Sequence, residues 1–264
     1  MRYYLCFMFF LVFAFLGAQS DTREQLDSLV RMEVAKTGFS GVVFVARKGE
    51  VLLHRAEGMA YYQANDRMEK NTRFSIASVT KLFTAITIFQ LIEEGKLNLT
   101  DKLVKHLPDL AIPGGEAISL EDLLLHNSGL PNERARIYQA HRSPADFVAT
   151  TLKQRTKAAY GEYNYNNLDY VLLGMIVERL RGRSWKEVVS SLILTPVGMT
   201  NTGFLAYGQY PTNFAYTYKG GRSRKLRQDP LFYIENFYAA GSMYSTAEDL
   251  WLLDRALNTD RVLS

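Results

Sequence analysis

One segment of the chain has almost no polar face. Between Ser78 and Gly95, apolar side chains fall on nearly every side of a helical projection; they are Val79, Leu82, Phe83, Ile86, Ile88, Phe89, Leu91 and Ile92. A helix that is apolar nearly all round has to be buried. Because the chain has 264 residues and is 47% hydrophobic, it can supply one large core around such a helix.

The segments before this helix predict a short helix and a hairpin. Thr22–Lys36 has apolar residues at helical spacing. Gly41–Arg47 and Val51–His54 are strand-like, and Lys48-Gly49 between them is a typical hairpin turn. Two strands with an apolar face need more sheet beside them. No second block of strands is evident before the end of the chain, so part of the sheet is expected to be missing.

The rest of the chain is predicted to be mainly helical. A helix should begin near Asn167 and end at Gly182, since glycine favours helix ends. Four other helix starts carry a serine cap followed by an acidic residue or proline: Ser119 with Asp122, Ser143 with Pro144, Ser184 with Glu187, and Ser245 with Glu248.

The first twenty residues differ from the rest. Arg2 precedes the apolar run Tyr3–Leu16, and Gly17–Ser20 is small and polar. The run is shorter than the ~20 residues of a membrane-spanning helix, and this order is typical of a secretory signal peptide. We therefore expect residues 1–20 to be removed, together with Cys6, the only cysteine, and the protein to be periplasmic or secreted. An uncleaved anchor is the alternative, and only that form would meet a membrane.

Ser78 and Lys81 have the spacing of a nucleophile and its base. They lie one turn apart on the predicted central helix. Serine needs a base to attack at neutral pH, and a lysine among apolar groups has a lowered pKa because burial disfavours its charged form. Leu82, Phe83 and Ile86 are expected to enclose Lys81. The alternative is that Ser78 only caps the helix and Lys81 extends to the surface.

Tyr165 and Asn167 form a second candidate group. Alternate residues of an extended segment point the same way, so both side chains would face one pocket. A phenol near a lysine can relay protons, and an amide can bind a substrate carbonyl. The alternative is an aromatic patch, with Asn167 acting as a helix cap.

Five stretches resemble a known family in order. Phe74–Lys81 resembles the first active-site motif of the serine β-lactamase and DD-peptidase (penicillin-binding-protein) superfamily, particularly its class C branch. Tyr163–Gly174 resembles that branch's tyrosine motif and the helix after it. The remaining matches are Leu91–Leu97, Leu124–Pro131 and Ala239–Leu250.

The resemblance implies a fold and a role for each site residue. The fold would be β-lactamase/transpeptidase-like, α/β plus all-α, with an antiparallel sheet packed on a helical region. Ser78 would be acylated, with its backbone N–H as half of the oxyanion hole, and Lys81 would take its proton. Tyr165 would be a second acid–base group, and Asn167 would hydrogen-bond the substrate amide.

One family feature is not found. A third motif, Lys or His before a small residue and Gly, should lie on a strand after Ala239–Leu250. Lys219-Gly220-Gly221 precedes that stretch and is interpreted as a chance match in a basic loop. Residues 21–264 are therefore expected to be a C-terminally truncated domain, with the last strands of the sheet missing.

Other signals are weak. The histidines are not spaced as a metal site and no dinucleotide glycine motif occurs, so we expect no metal and no cofactor. A formal charge of +4 is too mild to indicate a nucleic-acid partner. The basic cluster around Arg222, Arg224, Lys225 and Arg227 is expected to be a solvated loop, with contact to an anionic envelope polymer as the alternative.

The sequence therefore predicts an exported serine hydrolase. Its substrate would be a small molecule or peptide: a β-lactam, a D-amino-acid peptide or an ester. The alternatives are a non-catalytic protein that binds cell-wall peptides on the same scaffold, or an inactive fragment lacking the third motif.

Overall fold

The computed structural model describes residues 22–221 and 224–263. The predicted signal peptide and Cys6 lie outside the described residues. Within the part that is described, no helix is both long and apolar enough to cross a membrane.

The described chain begins with one helix, continues with five strands, seven helices and four strands, and ends with a last helix. The helices are α1 (22–37), α2 (Thr80–Glu93), α3 (Leu103–His106), α4 (Leu120–Leu124), α5 (Pro144–Thr151), α6 (Leu168–Arg181), α7 (Trp185–Val189), α8 (Thr195–Val197) and α9 (Ala247–Leu257). The strands are β1 (Gly41–Arg47), β2 (Glu50–Glu57), β3 (Met59–Tyr61), β4 (Asp66–Arg67), β5 (Phe74–Ser75), β6 (Gly203–Phe204), β7 (Tyr218–Gly221), β8 (Arg224–Gln228) and β9 (Met243–Ser245).

The chain divides into two compact units. The first contains the described residues up to Thr72 together with Asn213–Asp229, and the second contains Arg73–Thr212 and the described residues from Pro230 onward. The first unit holds α1 and three antiparallel pairs, β1 with β2, β3 with β4, and β7 with β8. The predicted hairpin is confirmed: Lys48 and Gly49 both have positive φ, which matches the twist of the flanking strands.

The strand predictions for the later part of the chain are wrong in two respects. Short strands do follow the helical stretch, and β9 pairs with both β5 and β6. Arg224, Lys225 and Arg227 of the basic cluster lie in strand β8, which pairs with β7, rather than in a loop, and Arg222 lies outside the described residues. Two- to five-residue strands carry too little alternation to be recognised, and β9 pairs with residues far away in the sequence.

The core of the second unit surrounds α2 and α6. Phe83 and Ile88 of α2, Leu172 and Ile176 of α6, and Trp185 of α7 have no exposed surface. Helix α6 has the predicted span and ends at Gly182, whose φ is 67°. Of the predicted caps, those at Ser119, Ser143 and Ser184 are confirmed. The cap at Ser245 is wrong by one residue, because Ser245 belongs to β9 and Thr246 accepts from the backbone of Asp249 instead.

Helix α2 is not buried all round. Leu82 and Phe89 are 41% and 39% exposed, whereas Thr84 and Thr87 have no exposed surface. The threonines are tolerated inside because their hydroxyls donate to the carbonyls of Ala239 and Thr84, at 2.7 Å in each case. The prediction took every apolar residue as core-facing, and so it missed that threonine hydroxyls can be satisfied locally.

Candidate active site

The site begins at the turn between β5 and α2. Ala77 has a φ of 42°, in the left-handed region that costs a residue with a Cβ about 1–2 kcal/mol. A 3₁₀ turn, Ala77–Val79, then leads into α2, and Ser78 is exposed. Val79 holds the N-cap position and makes no side-chain cap bond. The tight turn therefore presents the Ser78 hydroxyl at the start of the helix.

Lys81 lies buried one turn after Ser78. Lys81 is only 7% exposed, so the alternative of a lysine that extends to the surface is wrong. Its Nζ is 3.3 Å from Ser78 Oγ, 2.7 Å from Asn167 Oδ1 and 2.9 Å from the carbonyl oxygen of Ala240. Leu82, which was expected to help enclose it, is 41% exposed. The rings of Tyr165 and Tyr170 lie beside the amine, with centroids at 4.9 and 5.5 Å.

Burial makes the Lys81 amine easier to deprotonate. Burial lowers the pKa of Lys81 below its usual value, although Tyr165, Glu133 and Asp169 act in the opposite direction. A neutral amine has two N–H groups and one lone pair. If Asn167 Oδ1 and the Ala240 carbonyl accept both N–H groups, the lone pair is left for the Ser78 hydroxyl. The contacts therefore suit a general base.

Tyr165 and Asn167 meet at this amine, as the sequence predicts. The Tyr165 hydroxyl donates to Ser78 Oγ at 2.6 Å, and its side chain is 42% exposed. Asn167 is the N-terminal flanking residue of α6, but its side chain makes no cap bond. Both ends of its amide are already engaged, since Oδ1 accepts from Lys81 and Nδ2 donates to Glu133 at 2.7 Å. Its predicted bond to substrate stays a prediction.

A buried carboxylate holds the loop that carries Tyr165 and Asn167. Asp169 has no exposed surface and accepts from Ser128 Oγ at 2.6 Å and from Asn166 Nδ2 at 3.0 Å. The imidazole Nδ1 of His126 is 3.1 Å from the same carboxylate. Burial raises the pKa of Asp169, and these partners oppose the rise. His126 therefore has a structural role, since it links its own loop to the first turn of α6.

A strained turn delivers the Ala240 carbonyl to Lys81. Tyr238 has φ 45° and ψ −127°, a conformation that residues with a side chain rarely adopt. The turn packs against α6 at Gly174, where a Cβ would lie 2.5 Å from Ala239 Cβ. The Ser242 hydroxyl donates to the Tyr238 carbonyl at 2.8 Å and secures the turn. Gly174 thus makes room for the segment that contacts the base.

Glu133 was missed by the sequence analysis. One carboxylate oxygen, Oε1, accepts from Asn167 Nδ2 at 2.7 Å and from the Tyr138 hydroxyl at 2.8 Å. The nearest sequence signal was the matching stretch Leu124–Pro131, which ends two residues before it.

Lys219 belongs to the first unit, whereas every side chain of this site belongs to the second. Across residues 22–221 and 224–263, no three histidine, cysteine, aspartate or glutamate side chains cluster as metal ligands.

Comparison with known proteins identifies the family. A family model described as "Beta-lactamase" matches residues 26–264, nearly the whole chain. The chain belongs to this family. The match confirms the resemblance drawn from the five sequence stretches, while the class C branch stays a prediction.

Solved structures of other proteins share the fold of this chain. FmtA from Staphylococcus aureus superposes with a TM-score of 0.81 at 25% identity, covering 93% of this chain and 68% of that one. A D-amino acid amidase from Ochrobactrum anthropi SV3 superposes with a TM-score of 0.75 at 26% identity, covering 88% and 68%. The β-lactamase/transpeptidase-like fold is thereby confirmed.

The curated relatives are longer than this chain. Penicillin-binding protein 4* of Bacillus subtilis (strain 168) is 28% identical over 265 residues, which is 93% of this chain and 58% of the relative. The chain spans about half of the length of the curated relatives it matches, with shares from 48% to 58%. The site described above lies in the shared part.

Proposed function

We propose that this β-lactamase-family chain is an exported serine hydrolase that forms an acyl-enzyme at Ser78. One observation carries the proposal: Ser78 Oγ lies 3.3 Å from the buried Lys81 amine and 2.6 Å from the Tyr165 hydroxyl. Such an arrangement of nucleophile, base and second proton carrier is what acyl transfer to serine requires. Export rests on the N-terminal segment, whose sequence is typical of a signal peptide.

The reaction follows from these contacts. Neutral Lys81 takes the proton of Ser78 as Oγ attacks the substrate carbonyl carbon, and a new C–O bond forms. The Ser78 backbone N–H, at the start of α2, would stabilise the oxyanion. Tyr165 then passes a proton to the departing nitrogen or oxygen as its bond to carbon breaks, and it takes up the proton that Lys81 received, so both groups return to their starting forms. A water molecule then attacks the ester carbonyl carbon with the help of the same two groups, Lys81 and Tyr165. The bond to Ser78 Oγ breaks, and Ser78 is regenerated.

The substrate class is an amide, β-lactam or ester. The names of relatives support this range, since they include a penicillin-binding protein and a D-amino acid amidase. Peptide-like substrates with a D-residue and their lactam mimics share a carbonyl carbon that a serine can acylate. The choice among them depends on the lining of the pocket, and we propose the class only.

Covalent labelling tests the proposal. Incubation with a fluorescent penicillin or a fluorophosphonate should add one probe mass, and peptide mapping should place it on Ser78. The Ser78→Ala variant serves as the blank, and Ser75→Ala, three residues earlier in β5, serves as the matched control. An adduct that persists in Ser78→Ala would exclude the mechanism. Absence of any adduct together with retained binding of cell-wall peptide would favour the non-catalytic binding protein.

The labelling rate should rise with pH along a single acid limb. Only the neutral form of Lys81 accepts the proton of Ser78, and this form becomes more abundant as pH increases. Because burial lowers the pKa of Lys81 from its usual 10.5, the midpoint of the limb should fall below that value. The measurement is the second-order rate constant of fluorophosphonate labelling between pH 5 and pH 10. A rate constant that still rises in proportion to hydroxide concentration up to pH 10, with no sign of levelling off, would contradict a buried base.

A further inference from the structure

Glu133 is a partly buried carboxylate that contacts Asn167, and the mechanism above gives it no role. It follows the loop of His126 and Ser128 and precedes the 3₁₀ turn Ala135–Gln139. Its Oε1 accepts from Asn167 and from Tyr138. Its Oε2 is also buried and makes no hydrogen bond. A carboxylate oxygen that is buried without a hydrogen bond is costly, so the place of Glu133 beside the site calls for a function.

The chemistry of Glu133 determines which way the amide of Asn167 points. A carboxylate has no proton to donate, so only the Nδ2 end of the amide can face it. The Oδ1 end must then face Lys81, where it accepts from Nζ at 2.7 Å. In the reverse orientation, Asn167 would offer an N–H to the amine. The lone pair of a neutral Lys81 would accept that N–H and would no longer be available to Ser78.

Tyr138 supports this arrangement from the opposite side. Its hydroxyl donates to the same oxygen of Glu133, and burial raises the pKa of Tyr138, which keeps this donor protonated. Its ring stacks on Phe237 with a centroid separation of 4.0 Å, which limits movement of the hydroxyl. The carboxylate is thereby held in one position relative to Asn167.

We propose that Glu133 is a positioning residue that fixes the amide of Asn167 and thereby keeps the lone pair of Lys81 directed at Ser78. The inference rests on the proposed acyl-enzyme function and extends it to a residue outside the matched motifs. Glu133 touches neither Ser78 nor Lys81, and it acts through Asn167. Its negative charge also favours the protonated form of Lys81.

The test compares Glu133→Gln with wild type in fluorophosphonate labelling. Glutamine can present either a donor or an acceptor, so Asn167 loses its unique orientation. We expect the maximal labelling rate to fall about tenfold or more, within the range by which general-base catalysis accelerates a reaction, while the probe concentration at half-maximal rate changes little. The acid limb should move to lower pH, because removal of an anion makes Lys81 easier to deprotonate.

Two controls separate this role from a structural one. Tyr138→Phe removes the other bond to the same oxygen and leaves the bond from Asn167, so its pH limb should stay close to that of wild type. Glu133→Asp keeps a carboxylate, which is charged and can only accept hydrogen bonds. If Glu133→Gln lowers the labelling rate, Glu133→Asp should therefore lower it less. Thermal melting of each variant shows whether the fold is retained.

The outcomes distinguish this inference from the proposed function. If wild type is labelled at Ser78 and Glu133→Gln matches it in rate and pH limb, the positioning role is wrong and the enzyme assignment stands. If wild type is not labelled, the proposed function fails. In that case, a ¹³Cε NMR titration of Lys81 still tests whether the charge of Glu133 raises the pKa of Lys81. An unchanged lysine pKa in Glu133→Gln would overturn this electrostatic effect.

Discussion

Replacement of Lys81 by methionine should lower the rate of Ser78 acylation by about 10²–10⁴-fold, the range that a general base contributes. Methionine has a similar length and is suited to a site that is only 7% exposed. It has no lone pair basic enough to take the serine proton. Because Tyr165 still donates to Ser78 Oγ, the serine would remain in place but unactivated. The measurement is the labelling rate with a fluorescent penicillin or a fluorophosphonate.

A matched lysine controls for loss of charge. Lys96 is exposed and pairs with Glu94 at 2.8 Å, so Lys96→Met removes the same functional group at the surface. Exposed ion pairs contribute about 0–1 kcal/mol, and the labelling rate of this variant should equal that of wild type. A Lys81→Met variant that keeps its fold and is labelled at the wild-type rate would contradict the assignment of Lys81 as the base.

Substitution of Gly174 by alanine should reduce both stability and labelling. In an open helix, Gly to Ala is favourable by about 1 kcal/mol. Here the new Cβ would meet Ala239 Cβ at 2.5 Å and Tyr238 Cε1 at 2.6 Å, distances that force one segment to move. Overpacking of this kind costs about 1–3 kcal/mol, so the clash outweighs the helix propensity. The displaced turn would carry the Ala240 carbonyl away from Lys81.

Denaturant unfolding and labelling rate together check this prediction. The free energy of unfolding should fall, and the labelling rate of the folded fraction should fall with it. The variant Gly174→Ala combined with Ala239→Gly removes the closest contact, and it should recover part of both losses. A more stable Gly174→Ala protein would show that the turn moves aside without cost, and it would remove this explanation for the glycine.

Local contacts of the site could be predicted because they depend on residues close together in the sequence. Ser78 and Lys81 are three residues apart, and helical geometry alone places them on one face. Tyr165 and Asn167 were expected to share a direction, and they do meet at Lys81. The helix caps at Ser119, Ser143 and Ser184 depend on the three residues that follow each serine, so they too were predictable.

Contacts between distant segments could not be predicted in this way. The Ala240 carbonyl reaches Lys81 across 159 positions, through a strained turn that no sequence pattern announces. Glu133 acquires its role only because Asn167 lies beside it, 34 residues further along the chain. The exposure of Leu82 was missed for the same reason. Apolar side chains show that a helix can be buried, but packing against other segments decides which face of the helix is buried.

The sequence by itself determined the central helix, the first hairpin, the family and the four candidate side chains, because periodicity, turn chemistry and motif spacing are local properties. Only the tertiary structure decided that the Lys81 amine has the Ala240 carbonyl and Asn167 as its acceptors, and that Glu133 holds Asn167. Those contacts depend on where buried segments meet in space. They shift the pKa of Lys81, because burial lowers it and the neighbouring Tyr165, Glu133 and Asp169 act against that shift.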